Sequence, residues 1–154
     1  MIKSLECRVP PLALVALFAT LNWLLSTAPL QARLTIPGAE WLAGIVAIFG
    51  ALVALLGVLA FRKANTTVDP RDPNQAAQIV STGIYGRSRN PMYVGFFLGL
   101  VAWAIYLQHL TALPLLVLFV GYLTRFQIVP EERLLQAKFG EEFTLYRRQT
   151  RRWW

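Results

Sequence analysis

The chain is short of charge, of acids and of cysteine. Of its 154 residues 15% are charged and 56% hydrophobic, and a soluble domain of that length needs far more polar surface to cover its core. This excludes a soluble domain, and the length leaves room for a single domain, residues 1–154. One cysteine, Cys7, excludes a disulfide framework and reads as an ordinary membrane-proximal thiol. No metal site is expected. Acids number 8 against 15 lysines and arginines, a formal net charge of +7. In a soluble protein that excess would raise nucleic acid as a partner. Here the basic residues flank apolar runs, so anionic membrane lipids are the expected partners and nucleic acid is not. No internal repeat or low-complexity tract is present.

What the chain has in quantity is apolar runs. A helix needs about 20 apolar residues to cross the hydrocarbon of a bilayer. Stretches at 11–30, 41–61, 91–107 and 110–129 meet or approach that length. The expected fold is therefore all-α: a polytopic membrane bundle of about four transmembrane helices. Gln108 and His109 alone separate the last two spans, which predicts a tight antiparallel hairpin. The first span has a rival reading, a cleaved secretory signal opened by Lys3 and Arg8 and closed near Ala28 to Ala32. Its apolar run is longer than a usual signal core, which favours a retained span. Four spans put the N-tail, the loop 62–90 and the C-tail on one side, with Lys3, Arg8, Arg62, Lys63, Arg71, Arg87, Arg89, Arg133, Lys138 and the arginines 147 to 152. Arg33 stands alone on the other. Positive residues mark the cytoplasmic face, so an inner or plasma membrane protein with cytosolic termini is expected. Leu135, Phe139, Phe143 and Tyr146 recur at helical spacing among charged residues, predicting an amphipathic interfacial helix over 131–148. Arg151, Arg152, Trp153 and Trp154 read as its membrane anchor. The glycosylation-like Asn65-Thr66-Thr67 falls on the cytosolic side and reads as chance.

Two polar segments remain, and the hairpin brings them to one depth. In the first, Gly83 to Gly95, Pro91 suits an opening helical turn and Asn90 its N-cap, where free backbone donors favour an anion. Arg87 and Arg89 add positive charge, Tyr85 and Tyr93 add rings that stack or face a cation, and Gly83 and Gly86 permit close approach. The plain alternative is a capped helix with snorkelling arginines. In the second segment Glu131 and Glu132 follow Pro130, and as acids at a helix start they are ordinary dipole partners. Arg125 changes the weighing, because a charge inside a span needs a partner or a polar cavity. A cluster of Arg125, Arg89, Glu131 and Glu132 meets that need, either by packing helices or by holding a small zwitterion, arginine to carboxylate and glutamate to ammonium.

Together the segments resemble the isoprenylcysteine carboxyl methyltransferase and phospholipid methyltransferase group. The resemblance rests on Gly83, Tyr85, Arg89, Asn90, Pro91, Tyr93 and Gly95, then Glu131, Glu132, Leu135, Phe139, Gly140, Phe143 and Tyr146, with Val68 and Pro70 in the preceding loop. It implies methyl transfer from S-adenosylmethionine, releasing S-adenosylhomocysteine, to a lipid-like or isoprenylcysteine-like acceptor. It also implies a cofactor held by Gly83, Tyr85, Arg87, Arg89, Asn90, Pro91, Tyr93, Glu131, Glu132 and Tyr146. Arg89 or Arg87 would take its carboxylate, a glutamate its ammonium, and Tyr93 or Tyr85 its adenine or sulfonium. Arg125 and Glu132 are the expected catalytic residues, with Glu132 rather than Glu131 facing inward. Many relatives carry histidine where this chain has Asn90, which caps but does not titrate, so no acid–base role is expected there. His109 lies at the opposite side of the membrane. Two other readings are a nicotinamide-dependent lipid reductase and a non-catalytic membrane protein whose ion cluster only packs helices.

Overall fold

The computed structural model describes residues 6–28, 33–64 and 78–154. Lys3, Leu30, Arg71, the Asn65-Thr66-Thr67 tripeptide, Val68 and Pro70 lie outside them. Among the described residues every regular element is helical.

Proline starts two of the helices. Helix α1 (Pro11–Thr27) and helix α3 (Pro91–Leu107) each open on a proline, whose missing N–H is one of the donors a first turn leaves unpaired anyway. Helix α2 (Ala39–Lys63) follows Gly38 in the left-handed region (φ 70°) and ends on Arg62 and Lys63, cations at the negative end of its dipole. Gln108, itself left-handed, closes α3. Helix α4 (Ala112–Leu123) then runs through a π-helical segment, Thr124–Ile128, directly into α5 (Val129–Gln149). The sequence predicts a stop near Val129, and the structure corrects this. Pro130 removes the donor that would reach the Phe126 carbonyl four residues back, and the backbone N–H of Cys7 supplies one from outside at 2.9 Å. The helix widens by one π turn instead of ending.

Helix α5 contains a second irregularity. Gly140 has φ 53° and ψ −118°, a conformation that a side chain disfavours, so the helix kinks there. Gln136 braces the kink, its Nε2 donating to the Gly140 carbonyl at 2.7 Å and to the Thr144 hydroxyl at 3.0 Å. Past the kink, Phe143 and Tyr146 are buried, so this apolar stripe faces protein. The chain then turns back, and residues 150–154 lie beside the start of α3. Ser88 and Arg151 form a parallel bridge, and Arg89 N–H donates to the Arg151 carbonyl at 2.9 Å.

Helix α2 packs closely on α3 through small residues. A Cβ added to Gly95 would sit 2.6 Å from the Gly50 carbonyl oxygen and 2.7 Å from Ala54 Cβ. Such close approach of backbones is the packing that small residues permit between apolar helices. On the other side of α3, Leu14, Tyr93, Leu100, Phe119, Leu123 and Ile128 form the core, with Phe18 edge-on to Phe119 at 5.4 Å. The outward faces are apolar too: Ile45, Ile48, Leu52, Leu55 and Leu59 of α2 are exposed. By length and composition two helices are able to cross a membrane, α2 (25 residues) and the continuous Ala112–Gln149 helix (38 residues). The apolar helices α1 and α3 are shorter, at 17 residues each.

At the far end of α3 from Asn90, Arg33 bridges to His109, and Gln108 accepts from Leu34 and Ile36. His109 is buried there with Nδ1 2.7 Å from the Thr111 hydroxyl. Seventeen helical residues put it about 25 Å from the basic end.

Candidate active site

The site assembles where three segments meet: the turn before α3, the first turn of α5, and the returning tail. A short 3-10 turn, Gly83–Gly86, opens the first segment, with Gly83 in the left-handed region (φ 61°) and exposed. Tyr85 is buried edge-on against Phe61 at 5.1 Å, and its carbonyl accepts the Tyr146 hydroxyl at 2.8 Å. Burial pushes the Tyr85 phenol well above its ordinary range, so it stays protonated. Ser88 is fully buried and accepts from Asn90 N–H at 3.1 Å.

Glu132 is the centre. Its Oε1 accepts Arg89 Nη2 at 2.6 Å and Arg89 Nε at 3.2 Å. Arg152 Nε reaches the same oxygen at 3.1 Å, and Arg152 Nη2 reaches Oε2 at 2.7 Å. Two guanidinium forks thus grip one carboxylate, the geometry in which such pairs are strongest. The Glu132 carboxylate in turn holds the Arg152 guanidinium above its ordinary range. Arg89 is committed further: its Nη1 donates to the carbonyls of Arg147 and Thr150. One carboxylate between two guanidiniums leaves the group with net positive charge.

Glu131, one residue back, points elsewhere, as the roughly 100° step of a helix requires. Its Oε1 accepts the Tyr93 hydroxyl at 2.6 Å. The two glutamates therefore serve different neighbours.

Several expectations are corrected here. Arg125 does not join Arg89 and the glutamates. It sits on the π segment with its side chain half exposed, 3.2 Å from Glu6 and over the Phe126 ring at 5.4 Å. Arg133 takes the other Glu6 oxygen at 2.6 Å. Burial pushes the Glu6 carboxyl up, but the bonds from Arg125 and Arg133 outweigh it and hold the group below its ordinary range. The partner that a charge in the fourth apolar stretch needs comes from Glu6, 119 residues away in the N-terminal strap, residues 6–10 before α1. Asn90 does occupy the N-cap, yet its side chain makes no capping bond; it holds the tail instead, Nδ2 donating to the Arg152 carbonyl at 2.9 Å. Arg87 is exposed, and Pro91 is fully buried. Arg152 is the residue that sequence reasoning missed. In a terminal run of arginines and tryptophans it reads as an anchor, and no spacing links it to Glu132, 20 residues earlier. Trp153 is likewise turned inward, packing on the core and donating to the Thr124 hydroxyl at 3.3 Å.

A buried carboxylate–guanidinium cluster thus lies at one end of a set of apolar helices, two of them long enough to cross a membrane. The family model for phospholipid methyltransferases matches residues 39–142, which include α2, α3, α4 and both glutamates. The chain belongs to the phospholipid methyltransferase family, and it is a membrane methyltransferase in that general sense. It is also similar to an uncharacterized protein of Haemophilus influenzae, 37% identical over 62 residues, which cover 40% of this chain and 98% of the other. No solved structure matches it. Helix α1, Arg152 and the tail lie outside the family match.

Proposed function

We propose that the protein transfers a methyl group from S-adenosylmethionine to a lipid-like acceptor that reaches the site from the bilayer. The observation that carries this is the divergent pair of glutamates, one clamped between Arg89 and Arg152, the other on Tyr93. The donor set suits a zwitterionic cofactor. Among the described residues Arg152 keeps Nη1 unbonded with its side chain 35% exposed, so it holds the cofactor carboxylate. Arg89, whose three nitrogens are already engaged and whose side chain is 10% exposed, fixes Glu132 behind it. Glu131 keeps Oε2 unbonded and takes the ammonium. Tyr93 orients Glu131, and Trp153 closes the wall towards the core.

When bound, S-adenosylmethionine supplies an electrophilic methyl carbon; the protein's part is to position that carbon and exclude water. In this reading α1 and α3 also cross the bilayer and the basic end is cytosolic, where a cytosolic cofactor and a bilayer acceptor would meet. Titration of the purified protein with S-adenosylhomocysteine tests the reading. Saturable binding is expected, and folded protein that binds none at millimolar ligand overturns it.

A further inference from the structure

Three locally unfavourable features gather around one turn of the continuous helix Ala112–Gln149. Pro130 lies inside that helix, where its ring opposes a regular α turn by pressing on the carbonyl four residues back, that of Phe126. Gln127 is fully buried, and among the described residues its Oε1 has no hydrogen-bond partner. Cys7 holds φ 55°, a left-handed conformation uncommon for a residue with a side chain. A structure shaped for stability alone avoids all three. Hydrogen bonds join them: Cys7 N–H donates to the Phe126 carbonyl at 2.9 Å, and Gln127 Nε2 donates to the Val9 carbonyl at 2.6 Å. The strap therefore docks where the helix widens.

A π turn adds one residue to a helix, so everything after it is set back by one residue's step, about 100°, relative to an unbroken α-helix. That step decides which acid meets which partner. In the observed register Glu132 meets Arg89 and Arg152, and Glu131 meets Tyr93. Without the added residue Glu131 would take the direction of Glu132, and residue 130 would face Tyr93. The non-helical Gly140 lets residues 129–139 slip in this way without carrying the buried Phe143 and Tyr146 along. We infer that the strap and Pro130 form a register key: they impose the added residue and so position the two glutamates for methyl transfer, a purpose that rests on the proposed function. Strained backbone collects at functional sites, and so do π turns. The key joins a strap outside the family match to a proline inside it.

The test gives the helix its donor back. Pro130→Ala supplies an N–H to the Phe126 carbonyl, so that a regular α turn forms and the strap loses its bond. Pro130→Val, which restores the donor and keeps the volume filled, takes its place if the alanine variant does not fold. Glu131→Gln and Glu132→Gln are each followed by thermal unfolding of the full-length protein in neutral detergent, in the wild-type and Pro130→Ala backgrounds. In wild type Glu132→Gln is expected to lower the unfolding temperature more than Glu131→Gln. In Pro130→Ala the order should reverse, because Glu131 then meets the arginines. Pro114→Ala, in the first turn of α4, should keep the wild-type order. Cys7, the chain's one cysteine, should react several times faster with a thiol reagent in Pro130→Ala. S-adenosylhomocysteine should bind that variant roughly tenfold or more weakly, the loss expected when a charge-assisted bond goes. The same order in both backgrounds, an unchanged Cys7 rate, or a reversal in Pro114→Ala as well overturns the register key. A reversed order with undiminished S-adenosylhomocysteine binding overturns its positioning role. Wild type failing to bind S-adenosylhomocysteine strikes the proposed function alone, since the unfolding order needs no ligand.

Discussion

The seam between α2 and α3 and the cluster around Glu132 hold the same helix, α3, by opposite means. At the seam the partners are backbone and methyl groups, and what matters is that nothing occupies the space between Gly95, Gly50 and Ala54. At the cluster the partners are charged forks drawn from segments 20 and 43 residues from Glu132, and what matters is that both oxygens of Glu132 find donors. Shape governs one end of the contact and charge governs the other. The seam cannot absorb added volume, while the cluster cannot absorb a missing charge.

The strongest way to break the contrast is to add bulk at the seam. Gly95→Leu places atoms inside the Gly50 backbone, and overpacking of this kind costs about 1–3 kcal/mol or more where backbone must move. The expected outcome is loss of folded, monodisperse protein on size exclusion, while Gly99→Leu, where an added Cβ meets nothing within 4 Å, should remain folded. A Gly95→Leu protein with wild-type behaviour would show that the helices do not approach this closely.

Next is the charge. Glu132→Gln leaves Arg89 and Arg152 facing each other across a neutral amide. Breaking a buried pair costs about 3–5 kcal/mol, and solvent around the partly exposed Arg152 reduces that to roughly 1–3 kcal/mol. Thermal unfolding should fall, and S-adenosylhomocysteine binding should weaken with it. Arg125→Gln, a charge outside the cluster, should leave ligand binding unaltered. Equal losses in the two variants would return Arg125 to the site.

An effect on stability of similar size, but without loss of ligand binding, is expected at the kink. Gly140→Ala forces a side chain into the left-handed region and should cost about 1–3 kcal/mol. Because no neighbour lies within 4 Å of an added Cβ, the loss comes from backbone conformation alone, and protease nicking near residue 140 should rise. The smallest effect concerns the strap. The Glu6 carboxyl is held below its ordinary value of 4.5, so its contribution is complete above that pH and fades as pH falls through the lowered value. Cys7, whose thiol is pushed up to about 11 by burial and then by Glu131 and Glu6, should react faster with a disulfide reagent active in acid as the strap loosens. A reaction rate flat across that interval would remove Glu6 as the fastening.

How much of this was legible in the sequence follows the same division. Helix α3 falls on residues 91–107 as predicted, because proline and an apolar run declare themselves locally. The two glutamates and Arg89 were singled out through a motif, and the family match spans all three. Their arrangement was not legible. Arg125 pairs with Glu6 across 119 residues, and Arg152 reaches Glu132 from beyond the kink at Gly140 and the end of α5 at Thr150. A kink inside an amphipathic pattern leaves the periodicity nearly intact, so residues 131–148 read as one surface helix. The π segment was equally hidden, since the donor that permits it comes from Cys7.

That π segment has a mechanical consequence. Since α4 enters α5 without a loop, the carboxylates of Glu131 and Glu132 ride on the end of a lever whose other end is lipid-facing. Residues 112–128 make an arm of about 25 Å, so a tilt of about 5° displaces the first turn of α5 by about 2 Å. That is several times the roughly 0.5 Å over which a hydrogen-bond length ordinarily varies. If α4 spans the bilayer, bilayer thickness is expected to enter the geometry of the site, and S-adenosylhomocysteine affinity measured in membranes of different acyl length checks it.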